Sequence, residues 1–250
     1  VSPDPRKRAD AIAHRQRASA VTAARQRRNR WLIWGGVAAV VVIAIVIAVV
    51  SSGGSDGTSS AKTAKFETHA VTVTGTPIPK YDAKYTGNGS DPAIGKTIPT
   101  ATGVSVFNGT PVTIRPTGKP QMLVFVAHWC PHCQAEVPEL VKLAKQGVFD
   151  GVDVTAVATG TDPAATNYPP SAWLKREGWP FAAMADSPQG TAATAYGINA
   201  YPYFVLVDAN GKVVGRATGE VPAASITANI KALKAGAPLP LLSSGASSSS

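Results

Sequence analysis

The stretch Gln121–Leu140, QMLVFVAHWCPHCQAEVPEL, constrains the chain more than any other. An unbroken apolar run, Met122 to Ala127, ends at His128-Trp129 and is followed by Cys130-Pro131-His132-Cys133. Beyond the second cysteine, Val137, Leu140, Val141 and Ala144 recur at i, i+3, i+4 and i+7, the spacing of one helix face. A short apolar run bounded in this way predicts a buried strand that feeds the N-terminus of a helix. That junction is where a thiolate is most easily stabilised, because unpaired backbone N–H groups and the positive end of the helix dipole both favour negative charge. Cys130 and Cys133 are therefore read as a redox dithiol. They are the only two cysteines in the 250 residues, which excludes a framework of structural disulfides.

Charge is unevenly placed. Residues 1–30 hold nine Lys/Arg against Asp4 and Asp10, so they carry +7 of the chain's net +9. No aromatic residue is interleaved with these arginines, and no nucleic-acid partner is expected. Trp31 to Val50, WLIWGGVAAVVVIAIVIAVV, is a 20-residue run without a charge. As a helix it matches a hydrocarbon core of roughly 30 Å, and Trp31 and Trp34 sit where interfacial anchors belong. It exceeds the roughly 7–15 apolar residues of a signal peptide, and Ala48-Val49-Val50-Ser51 is a poor cleavage site. The expectation is a retained single-pass anchor in the cell membrane. By the positive-inside rule, residues 1–30 lie in the cytoplasm and everything after Val50 outside.

Residues 51–68 read as a flexible linker, 69–236 as the extracytoplasmic domain and 237–250 as a disordered Pro/Ser-rich tail. Within the domain, His69–Gly75 is β-like, and Asn108-Gly109 between Val104–Val106 and Val112–Ile114 is a hairpin signal. After the dithiol helix come a strand at Val152–Ala158, an insertion with a short helix over Thr161–Gly178, and a weak strand at Phe181–Ala185. Ser187-Pro188 is expected to open a helix that Gly197 ends. Tyr203–Val207 and Lys212–Ala217 form a hairpin about Asp208–Gly211, and a last helix runs from near Pro222 to Gly236. The fold class is α/β, a central mixed sheet flanked by helices with an N-terminal β-hairpin extension.

WCPHC after an apolar strand, Pro138 five residues past the second cysteine, and Tyr201-Pro202 before another apolar strand together resemble the thioredoxin superfamily. The insertion and the Asn108-Gly109 hairpin make the chain most similar to the membrane-anchored TlpA/ResA-like branch, over about Asp91 to Ala235. The resemblance implies a thioredoxin-like fold and a thiol–disulfide oxidoreductase. Cys130 would be the exposed nucleophile, forming a mixed disulfide that Cys133 resolves. Pro131-His132 is the pair of DsbA-type oxidants, in which a histidine beside the thiolate stabilises the reduced form. Pro138 would kink the helix. Pro202 would be cis and face the dithiol, leaving the Tyr201 backbone to pair with an incoming chain. Trp129 would form part of the exposed surface around Cys130.

Thioredoxin- and DsbA-like proteins carry an acidic residue six positions before the first cysteine, where this chain has Val124. Glu136 is the remaining candidate, as it is in TlpA/ResA-like proteins. It would either raise the Cys133 pKa or accept its proton, or it is simply a solvated residue in the first turns of a helix.

His128 is expected to pack beside Trp129, and Trp173, Trp179 and Tyr196 to be packing residues. Zinc ligands drawn from Cys130, Cys133, His128 and His132 would be too crowded for a tetrahedral site, so no metal is expected, and no cofactor. The expected function is an oxidant exchanging disulfides with exported cysteine-containing proteins and recharged by a membrane redox partner. A reductant of the TlpA/ResA type, a non-catalytic binding module and a peroxidase are the alternatives.

Overall fold

In the computed structural model, which describes residues 67–85 and 90–240, the apolar run of the sequence becomes the middle of a mixed sheet. In chain order the strands are β1 Thr72–Thr74, β2 Thr100–Ser105, β3 Pro111–Ile114, β4 Gln121–Val126, β5 Asp153–Ala158, β6 Ala182–Ala185, β7 Tyr203–Val207 and β8 Val213–Thr218. The helices are α1 Pro131–Lys145, α2 Pro170–Glu177, α3 Thr191–Ala195 and α4 Ala223–Lys234. The spatial order is β1-β2-β6-β5-β4-β7-β8, with β3 also paired to β2. Strands β4, β5 and β6 run parallel; on one side β7 pairs antiparallel with β4 and β8 antiparallel with β7, and on the other β2 pairs antiparallel with β6. This is a thioredoxin-like α/β fold, and the β2–β3 hairpin extends it from the N-terminal side.

Every residue of β4 is buried, because both faces of the sheet are covered. Alternate side chains of a strand point to opposite faces. Met122, Val124 and Val126 join Val137 and Leu140 of α1 and Ile226 and Ile230 of α4 in one core. Leu123 and Phe125 join Ala192 of α3 with Tyr196 and Tyr203 in the other. Trp173, Trp179 and Tyr196 are buried, as expected of packing residues.

The helix expected to start at Pro188 begins three residues later, at Thr191. Its unpaired N–H groups are met from before the turn. Asp186, at the end of β6, accepts from Ala192 N–H at 2.9 Å and Ala193 N–H at 3.1 Å, and Ser187 Oγ accepts from Thr191 N–H at 3.0 Å. With those donors satisfied from a distance, Gly190 takes the N-cap position in the left-handed region at φ 67°. Gly197 follows the helix at φ 71°, and a Cβ there would lie 2.4 Å from Pro79 O, so no other residue fits.

The segment before β2 is tied to the sheet through Arg216 of β8. Its guanidinium holds Asp91 in a buried bidentate pair, with Nε donating to Oδ2 at 2.8 Å and Nη2 to Oδ1. Nη1 donates to Pro79 O at 2.7 Å and to the Tyr203 hydroxyl at 3.0 Å. Ile78 N–H donates to Ala195 O and Tyr81 N–H to Gly197 O, at 3.0 and 2.7 Å.

The expected anchor at residues 31–50, the flanking Arg-rich segment, most of the linker and residues 241–250 of the tail lie outside the described residues. Among the described residues no helix is long and apolar enough to cross a membrane.

Candidate active site

Both cysteines are free thiols at the junction of β4 with α1. Cys130 is the N-cap residue, and Pro131 takes the first helical position, where a missing N–H costs nothing. The helix runs on through Pro138 to Lys145. Cys130 was expected to be exposed, yet only 7% of it is accessible. The loop before β7 covers it: the Tyr201–Pro202 bond is cis, as anticipated, and Tyr201 O lies 3.8 Å from Cys130 Sγ and accepts its S–H. A second cis bond, Tyr168–Pro169, lies in the insertion and carries no sequence signal of its own. Cys133 is fully buried, its Sγ accepting from Ala127 N–H at 3.5 Å. Burial pushes its thiol pKa up strongly, and the neighbouring Cys130 and Glu136 add to the rise. The two sulfurs are thus chemically unequal: Cys130 keeps a small opening to solvent at the helix N-terminus, and Cys133 is held as the neutral thiol.

Glu136 is buried, which removes the solvated alternative. Its Oε2 accepts from Val221 N–H at 3.0 Å, whereas Oε1 has no hydrogen-bond partner among the described residues. Burial raises its carboxyl from the ordinary 4.5 to about 7. The folded state therefore holds a proton that the unfolded state has lost across the window from about 4.5 to about 7. Stability should fall as pH rises through that window, by up to about 3 kcal/mol. In Glu136→Gln the slope should vanish and stability above pH 7 should rise. Urea unfolding at pH 5 and pH 8 checks this, and an unchanged slope would locate the titration elsewhere.

Trp129 is the one large apolar side chain exposed among the described residues, at 38%. Its ring meets Tyr201 edge-on at 5.9 Å, and its Nε1–H donates to Gly160 O at 2.7 Å. Gly160 has φ 59°, and a Cβ on it would stand 2.9 Å from the Tyr201 hydroxyl. Trp129, Gly160 and Tyr201 therefore form one surface beside Cys130.

His128 does not take part in this surface. It is buried, with Nδ1–H donating to Thr166 O at 2.7 Å and Nε2 accepting from Asp162 N–H at 3.2 Å. Its ring contact is with Tyr168, 5.9 Å away, rather than with Trp129. It pins the insertion to the strand end as a neutral imidazole.

His132 has a partner outside the dithiol. Its side chain is 66% exposed, and Nδ1 pairs with Glu220 Oε1 at 2.7 Å. That hydrogen bond joins the ring to the loop between β8 and α4. The same loop reaches the site at two further points. Gly219 N–H and Thr218 Oγ1–H donate to Pro202 O at 2.8 and 3.3 Å, and Val221 N–H meets Glu136. Glu220 and Val221 were not singled out from the sequence, and no local pattern marks them: they sit 88 and 85 residues from their partners.

The chain matches the Redoxin family over residues 93–232. It belongs to that family. Over 99 residues it is 32% identical to a thiol:disulfide interchange protein DsbE homolog of Paracoccus denitrificans, which covers 40% of this chain and 50% of that protein. It is 33% identical over 104 residues to the thiol-disulfide oxidoreductase ResA of Bacillus anthracis, covering 41% and 57%. This Redoxin chain thus spans about half the length of the curated relatives it matches. A hypothetical protein from Sinorhizobium meliloti 1021 shares the fold with a TM-score of 0.51 and 21% identity, over 59% of this chain and 87% of that one.

Proposed function

We propose that this domain is a thiol–disulfide oxidoreductase held at the outer face of the cell membrane by residues 31–50, where it oxidises exported cysteine-containing proteins. The observation that carries the reading is the arrangement of the two thiols. Cys130 caps α1 against the cis Tyr201–Pro202 bond, and Cys133 is buried one turn further in.

In the oxidising direction, a client thiolate attacks Sγ of Cys130 in the Cys130–Cys133 disulfide. The S–S bond breaks, Cys133 leaves with the electron pair, and a mixed disulfide joins the client to Cys130. The burial that disfavours the Cys133 thiolate makes it take up a proton, which Glu136, titrating near 7, is placed to supply. A second client thiolate then attacks the client's own sulfur in the mixed disulfide and expels Cys130. Two electrons have passed to the domain, and a membrane redox partner removes them. Trp129 and Tyr201 supply the surface on which the client segment rests.

One observation favours the reverse direction. The His132 ring is bound to Glu220, so its support for a Cys130 thiolate is weaker than the CPHC motif alone suggests. The reduction potential separates the two readings. A value near about −120 mV supports the oxidant, and one below about −250 mV establishes the reductant.

A further inference from the structure

We propose that Glu220 is a positioning residue that sets the redox balance of the dithiol through His132, a role that rests on the oxidoreductase reading above. The argument begins with how Glu220 reaches the site. The chain leaves β8 at Thr218, and the next residues close over the first two turns of α1. Thr218 and Gly219 hold Pro202 O from one side, and Val221 N–H holds Glu136 Oε2 from the other. Glu220 stands between two fixed neighbours, so its carboxylate is presented to the His132 ring by backbone that has little freedom to move away. The resulting contact is short, 2.7 Å, although both side chains are largely in water.

The consequence is electrostatic. A disulfide bears no charge, whereas the reduced pair can carry a thiolate at Cys130, so any positive charge nearby favours the reduced form and makes the disulfide a stronger oxidant. An imidazolium at His132 is such a charge. Glu220 Oε1, 2.7 Å from Nδ1, neutralises it at the pair. The ionisable residues that α1 carries in sequence after His132, as far as Glu139, are Cys133, Glu136 and Glu139, with Cys130 at the N-cap before it. None of these replaces the cation. Glu220 therefore weakens the CPHC motif as an oxidant, and the potential depends on a residue 88 positions away in the chain.

The test is the equilibrium between the full-length protein and a glutathione redox buffer at pH 6. Glu220→Gln should shift the equilibrium toward the dithiol by about fivefold, equivalent to about 20 mV. In a His132→Gln background the same substitution should produce less than half of that shift. A role confined to folding would move the stability of both redox forms and leave this ratio untouched. A Glu220→Gln protein with the wild-type ratio overturns the inference, as does a shift of equal size with and without His132. If the wild-type protein does not equilibrate with glutathione at all, the oxidoreductase reading itself fails, and that outcome is distinct from either of the others.

Discussion

Cys130→Ser should abolish disulfide exchange, lowering the rate by at least about 1,000-fold, because a hydroxyl cannot form the S–S bond on which every step depends. Cys133→Ser should behave differently. Its Cys130 remains able to attack or be attacked, but the buried group that would release the client is missing, so mixed disulfides accumulate. The asymmetry follows from geometry: Cys130 lies under the Tyr201 carbonyl with 7% of its area still accessible, and Cys133 is fully enclosed. Non-reducing electrophoresis of each variant after incubation with a disulfide-bearing protein reads both outcomes. Adducts trapped by Cys133→Ser and absent from Cys130→Ser support the assigned roles. Turnover retained in Cys130→Ser would favour a binding module in which the cysteines are incidental.

The second large effect concerns the fold and not the chemistry. Asp91→Ala should cost about 3–5 kcal/mol, since it strands the Arg216 guanidinium without a counter-charge in the interior. Arg216 also holds Pro79 O and the Tyr203 hydroxyl, and these neutral acceptors do not offset the lost carboxylate. Replacing both partners together, Asp91→Leu with Arg216→Met, should recover much of the loss, because no buried charge is then left unpaired. Urea unfolding of the three proteins measures the difference. Equal destabilisation by the single and double changes would mean that the pair contributes shape and not charge balance.

The parts of the structure legible in the sequence are those set by local pattern. Strand β4 was visible because six consecutive residues must be buried on both faces, and few other environments accept such a run. The β2–β3 hairpin was visible because Asn108-Gly109 favours a turn; Gly109 sits at φ 74° and Asn108 Oδ1 accepts from Thr110 N–H at 3.1 Å. The cis state of Tyr201–Pro202 came from family resemblance, not from any property of the dipeptide. What stayed hidden depends on chain segments meeting from far apart. A glutamate three residues after Cys133 reads equally well as solvated, and only the approach of Val221 encloses it. The contact of His132 with Glu220 joins positions 88 residues apart, and no local pattern announces it. The start of α3 was misplaced because Ser187-Pro188 is a strong local cue, yet Asp186 satisfies the helix N-terminus from outside the usual cap position.

The tie between Arg216 and the segment around Pro79 bears on where this domain can be cut. The family match begins at residue 93, but the cooperative unit does not. A fragment starting there would lack Asp91, the Ile78 and Tyr81 backbone bonds to the end of α3, and the Glu67 carboxylate that receives Ser171 N–H at the start of α2. It would expose the flank of Tyr203 and leave a charged side chain in the interior. Boundaries drawn from family likeness mark the shared chemistry. For expression, labelling or domain grafting, a cut at residue 93 severs these ties, whereas a piece that includes Glu67 keeps them.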